Sequence, residues 1–176
     1  MKNRIAILLV FLIIACKSKQ NESVVNLINY EYENVSFIAP EYWKPYFVEK
    51  GLISFKNEKS KNDSYNSNFT IITFADDSVA INKDIDQLVR KNMLELNEVY
   101  AKFKVVRYDT IKNASYKGRK VSLTAITPQQ DTIGSLIYFL NNGERLTIAS
   151  FQGLNHNGSF KNLTPELGNI AMSIKF

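Results

Sequence analysis

The chain has 176 residues, 45% of them hydrophobic, with 22 basic and 17 acidic side chains, one cysteine and one histidine. That is enough chain for one domain resting on its own core; a lone cysteine provides no disulfide framework, and one cysteine with one histidine excludes the usual zinc ligand sets. The net charge of +5 would suit an acidic partner, but no basic cluster with interleaved aromatics supports nucleic-acid binding.

The first fifteen residues read as a targeting device. Lys2 and Arg4 precede an apolar run from Ile5 to Ala15. A membrane-spanning helix needs about 20 apolar residues, and this run is roughly half that, so it suits the core of a secretory signal. Residues 1–15 are the expected signal peptide. Its end lacks a clean small-x-small cleavage site. Leu12-Ile13-Ile14-Ala15-Cys16 instead resembles the lipobox of bacterial lipoproteins. That resemblance implies an acylated Cys16 as the first residue of the mature protein, anchored in membrane lipid. Several acyl chains on one residue hold far more firmly than a single myristoyl chain does. The other reading of Cys16, a buried thiol in an uncleaved anchor helix, is disfavoured by the shortness of the run. Loss of Lys2 and Arg4 leaves 20 basic against 17 acidic residues, a net +3, a magnitude that simply keeps a small domain soluble. Under the sorting rules of enteric-type bacteria, Lys17 in place of aspartate favours the outer membrane, facing the periplasm.

Residues 16–30 are expected to be the lipidated cysteine and a flexible tether, polar from Lys17 to Ser23. The folded domain is expected over 31–176. Asn34 to Pro40 alternates apolar and polar and stops at proline, which predicts a strand. Tyr46–Val48 and Leu52–Phe55 predict a hairpin about Glu49-Lys50-Gly51. Residues 56–68 are a polar loop, and Phe69–Phe74 an apolar, β-branched strand. From Asp84 to Phe103 the apolar residues recur with helical spacing. Asn82 is the predicted N-cap, with Asp84 and Asp86 favouring the positive end. Its other face, with Arg90, Lys91, Glu95, Glu98 and Lys102, reads as solvated. Four strands follow, at 104–112, 115–126, 132–140 and 144–151, the last two joined by Asn141-Asn142-Gly143. A final helix carries Phe160, Leu163, Leu167, Ile170 and Ile174, with Thr164-Pro165 as its predicted cap and first residue.

Strands, helix, four-strand meander, helix: this order predicts an α+β domain, an antiparallel β-sheet covered by two main helices. It resembles the PsbP/Mog1-like fold, an α/β/α sandwich that also includes DcrB-like bacterial lipoproteins. The resemblance rests on Phe37-x-x-Pro40-x-x-Trp43 at the start, Tyr116-Lys117-Gly118 between, and Ser173-Ile174-x-Phe176 at the end. It implies a fold and a role in binding partners or stabilising assemblies, with no shared catalytic constellation.

Catalysis is not expected. Nucleophilic chemistry needs a base beside a serine, threonine or cysteine, and His156 stands alone in a glycine-bounded loop. The nucleophile elbow, the phosphate-cradling loop and the HExxH helix are absent from the sequence. Asp76, Asp77 and Ser78 with Asp63 offer some of the six to eight oxygens calcium requires, though aspartates are ordinary turn residues too. No cofactor or metal is expected. Tyr30, Tyr32, Tyr42, Trp43, Tyr46 and Phe47 crowd one stretch. Alternate members are expected to pack beneath the first strand, Trp43 above all; exposed together they would instead form a partner-binding patch, for which Tyr42, Trp43 and Tyr46 are the candidates. The predicted function is a non-catalytic, envelope-anchored binding or scaffold module that meets other envelope proteins; the alternative is a carrier of a small ligand or metal ion.

Overall fold

The computed structural model describes residues 25–60, 67–74, 84–155 and 159–176. Two strands, β1 (Leu27–Tyr32) and β2 (Val35–Pro40), form a separate antiparallel ribbon. The other strands are β3 (Trp43–Glu49), β4 (Leu52–Asn57), β5 (Asn68–Phe74), β6 (Ala101–Lys112), β7 (Lys117–Ile126), β8 (Thr132–Asn141) and β9 (Leu146–Leu154). They build one antiparallel sheet in the order β3-β4-β5-β9-β8-β7-β6. Helix α1 (Ile85–Val99) links β5 to β6, and helix α2 (Ser159–Met172) follows β9.

The alternation of side chains along β8 shows how the layers divide. Leu136, Tyr138 and Leu140 face one core with α2, the ribbon and β3 to β5, including Phe37, Trp43, Phe55, Phe69 and Phe151. Ile133, Ile137 and Phe139 face the other, where Val89 of α1 packs with Val121, Leu123 and Ala125 of β7. β8 is therefore buried on both faces, and the predicted α/β/α sandwich is the structure found. The two ends of the sequence pattern meet in space. Ser36 and Lys175 exchange backbone hydrogen bonds of 3.0 and 2.8 Å, and the Ile38 N–H donates to Ser173 Oγ at 2.8 Å. Phe176 stacks edge-on against Tyr116.

Several boundaries differ from expectation. Residues 27–30, assigned to the tether, form the first four of the six residues of β1, because Tyr30 packs against Phe37 and Phe55 and its hydroxyl donates to the Trp43 carbonyl at 2.7 Å. The N-cap of α1 is Asp84, whose carboxylate accepts from the Asp86 N–H at 3.0 Å; Asn82 lies outside the described residues. The helix stops at Val99, since Tyr100 turns extended at φ −103° and ψ 133°. Phe103 thus reaches the α1 core from strand β6 instead. Helix α2 begins at Ser159, well over a turn earlier than Thr164-Pro165 predicts, leaving Pro165 inside it without an N–H to donate. Burial outweighs that loss. The Phe160 ring fills a slot over Gly134 and Gly153, which are directly opposed across β8 and β9. Any Cβ at Gly134 would lie 2.3 Å from that ring.

Candidate functional site

Helix α1 packs over β6, β7 and β8 and is tied to the edge strand β6 through Asp86 and Tyr108. β6 carries two irregularities in its pairing with β7, one of them at Val106, and a bulge bends and twists an edge strand. Between the two elements runs a cleft of about 740 Å³. Val89, Met93 and Phe103 make its apolar floor, and Arg90, Leu94 and Asn97 line it from the helix. Asp84, Asp86 and Tyr108 line it at the amino-terminal end of α1. Leu94 is 67% exposed, an apolar side chain close in sequence to Arg90, Lys91 and Glu95, and Val105 and Val106 of β6 are exposed as well.

A second hollow of about 740 Å³ continues past the helix amino terminus, lined by Asp84 and Ile85, by Thr110 to Lys112, by Lys117 to Arg119, and by Asn141 and Gly143. The two hollows meet at a polar knot. Arg119 donates to both oxygens of Asp86, at 2.8 and 3.0 Å, and the Tyr108 hydroxyl donates to the same carboxylate at 2.7 Å. These bonds, Arg119 first, hold the Asp86 carboxyl below the usual carboxylate range. Burial, then the bond to Asp86, pushes the Tyr108 phenol up. A depressed carboxylate contributes stability that is complete above its unfolded value near pH 4 and is lost as pH falls through its folded value. Asp86→Asn is therefore expected to lower the melting temperature at pH 7, with the difference from the unsubstituted protein shrinking as pH falls below about 4 and the Asp86 carboxylate takes up its proton. Equal melting temperatures at pH 7 would show that the knot adds nothing to stability.

The residues singled out from sequence lie elsewhere. Trp43 is fully buried and offers no surface to a partner, which removes it from the binding patch. Its indole N–H donates to Glu166 Oε1 of α2 at 2.8 Å, and the Tyr42 hydroxyl donates to the other Glu166 oxygen. Lys59 sits over the Tyr42 ring, 3.7 Å from its centroid. Tyr46 alone of the three is open, 56% exposed, but on β3, the sheet edge opposite the cleft. Cys16, Asp63, Asp76, Asp77, Ser78 and His156 lie outside the described residues. Among the described residues no three His, Cys, Asp or Glu side chains gather as a metal set, and no helix is long and apolar enough to cross a membrane. Sequence reasoning missed the cleft. The one signal was Leu94, apolar among charged neighbours.

No family model and no curated protein matches the chain in sequence. Solved structures do match in shape. Cyanobacterial PsbP (CyanoP) from Synechocystis has a TM-score of 0.62 at 10% identity, over 91% of this chain and 98% of that one. LpqN of Mycobacterium tuberculosis, involved in cell envelope biogenesis, has a TM-score of 0.60 at 7% identity, over 86% and 91%. The Ran-binding protein Mog1p of Saccharomyces cerevisiae has a TM-score of 0.56 at 10% identity, over 86% and 95%. At such identities the likeness establishes a PsbP/Mog1-like fold, and function has to be argued from the site.

Proposed function

We propose that this protein is a lipoprotein, anchored in the bacterial envelope through acylated Cys16, whose domain binds through the cleft between α1 and β6 and performs no catalysis. The observation that carries the binding role is the cleft itself, an apolar floor left open to solvent with polar groups at one end. Exposed apolar surface of this kind marks sites of association. The polar groups there are engaged with each other, Asp86 with Arg119 and Tyr108, and not arranged as a nucleophile and its base. The shape neighbours include a Ran-binding protein and a protein of envelope biogenesis, which fits a binding role. Two substitutions separate anchor from cleft. Cys16→Ser is expected to abolish incorporation of a labelled fatty acid and leave the melting temperature of the domain unchanged; a natural chain that takes up no fatty-acid label would overturn the anchor. Leu94→Asp, at an exposed position, is expected to keep the fold and the anchor but abolish the crosslinking to envelope proteins expected of the natural chain. Crosslinking that persists unaltered would place the partner surface elsewhere.

A second reading, carriage of a small ligand, is favoured by size. A volume of about 740 Å³ lies within the range of about 300–1,000 Å³ usual for small-molecule sites.

A further inference from the structure

The two hollows differ in chemistry, and the difference says what a single occupant should look like. From Asp86 to Asn97 the helical wall runs 11 residues, roughly 17 Å at 1.5 Å per residue, above the floor of Val89, Met93 and Phe103. That is room for an extended alkyl chain. Beyond the Asp86–Arg119 knot the surface changes sign. Lys112 and Lys117 are directly opposed across β6 and β7, on the same sheet face as Arg119. Like charges directly opposite one another are destabilising. Neither lysine has an ion-pair partner among the described residues. The nearby carboxylates are engaged in the wall: Asp86 is bound by Arg119 and Tyr108, and Asp84 caps the helix. An anion set between the two lysines would relieve their repulsion.

We infer that the trough holds a single-chain amphiphile with an acidic head group, its chain on Met93, Leu94 and Phe103 and its head between Lys112 and Lys117. This rests on the small-ligand reading of the cleft and adds the chemistry of the ligand to it.

The full chain carrying Cys16→Ser, free of its own acyl groups, serves for the test, with dodecyl phosphate, dodecyl maltoside and inorganic phosphate as probes below micelle-forming concentrations. Equilibrium dialysis is expected to show one dodecyl phosphate bound per chain, at least tenfold more tightly than dodecyl maltoside, and no binding of inorganic phosphate at the same concentrations. Lys112→Glu with Lys117→Glu, both exposed positions, should bring dodecyl phosphate down to the level of the maltoside. Leu94→Asp should weaken both amphiphiles. Equal binding of the two amphiphiles, unmoved by the lysine changes, overturns the acidic head group while leaving the apolar cleft as a site. Inorganic phosphate binding as tightly as dodecyl phosphate overturns the chain. Binding of neither amphiphile overturns both this inference and the small-ligand reading.

Discussion

Gly118→Ala is expected to cost about 3 kcal/mol or more, at the upper end of overpacking penalties, and to lower the melting temperature by roughly 10 °C. The reason is the absence of anything that can give way. A Cβ at this position of β7 would lie 2.2 Å from the backbone oxygen of Phe139 and 3.2 Å from Leu140 Cδ2. Phe139 and Leu140 belong to β8, the strand buried on both faces, so the obstructing oxygen is fixed from above and below. β7 itself would have to move, carrying the β6 edge with it. Denaturant titration followed by circular dichroism measures the loss, and a midpoint within error of the natural chain would mean that the two strands separate here at no cost. The same displacement would shift Lys117 and Arg119, the neighbours of Gly118 that line the second hollow. Gly118→Ala should therefore also impair ligand binding in whatever fraction remains folded.

Much of the fold was legible because its signals are local. Alternation located the strand expected at 34–40, apolar β-branched content the one at 69–74, and Asn141-Asn142-Gly143 the turn after the strand expected at 132–140, and each lies within a residue of the strand found. Helical spacing found α1 and α2. What failed depended on distant residues. The tether assignment ran into β1 because the polar opening of the chain hid the alternation of Leu27 to Tyr32, whose inner side chains find partners only once the ribbon lies on the sheet. Thr164-Pro165 has the local form of a helix start, but Phe160 is held in the glycine slot of β8 and β9, and that packing draws the helix well over a turn further back. The cleft was the least legible element. It exists because β6 is an edge strand, irregular at Val106, beside a helix that covers its neighbours, and strand order is not a property of any one segment. The Asp86–Arg119 pair joins residues 33 apart, so no short window contains it.

The aromatic stretch was read as core or as patch, and the structure divides it by the partner each ring finds across the chain. Trp43 and Tyr42 converge on one carboxylate, that of Glu166 on α2, 123 and 124 residues away. This junction ties the start of the sheet to the last helix, the same two regions joined by Ser36 and Lys175. Glu166→Ala is expected to destabilise the domain by about 3 kcal/mol, because the indole N–H of a fully buried tryptophan loses its acceptor and a half-buried phenol loses its own. Glu166→Gln keeps an oxygen for Trp43 and an amide for Tyr42, and should cost only about 1 kcal/mol. Burial first, then the bond to Glu166, raises the Tyr42 phenol above its ordinary value. A raised value contributes stability that is complete below the unfolded value near 10 and is lost as pH climbs through the folded one. The natural protein should therefore weaken at alkaline pH above about 10, and Glu166→Ala should show less of that decline. Tryptophan emission reports the outcome directly, since Trp43 is the only tryptophan in the chain. A destabilisation by Glu166→Ala no greater than that by Glu166→Gln would mean the carboxylate is dispensable and apolar packing alone holds α2 to the sheet.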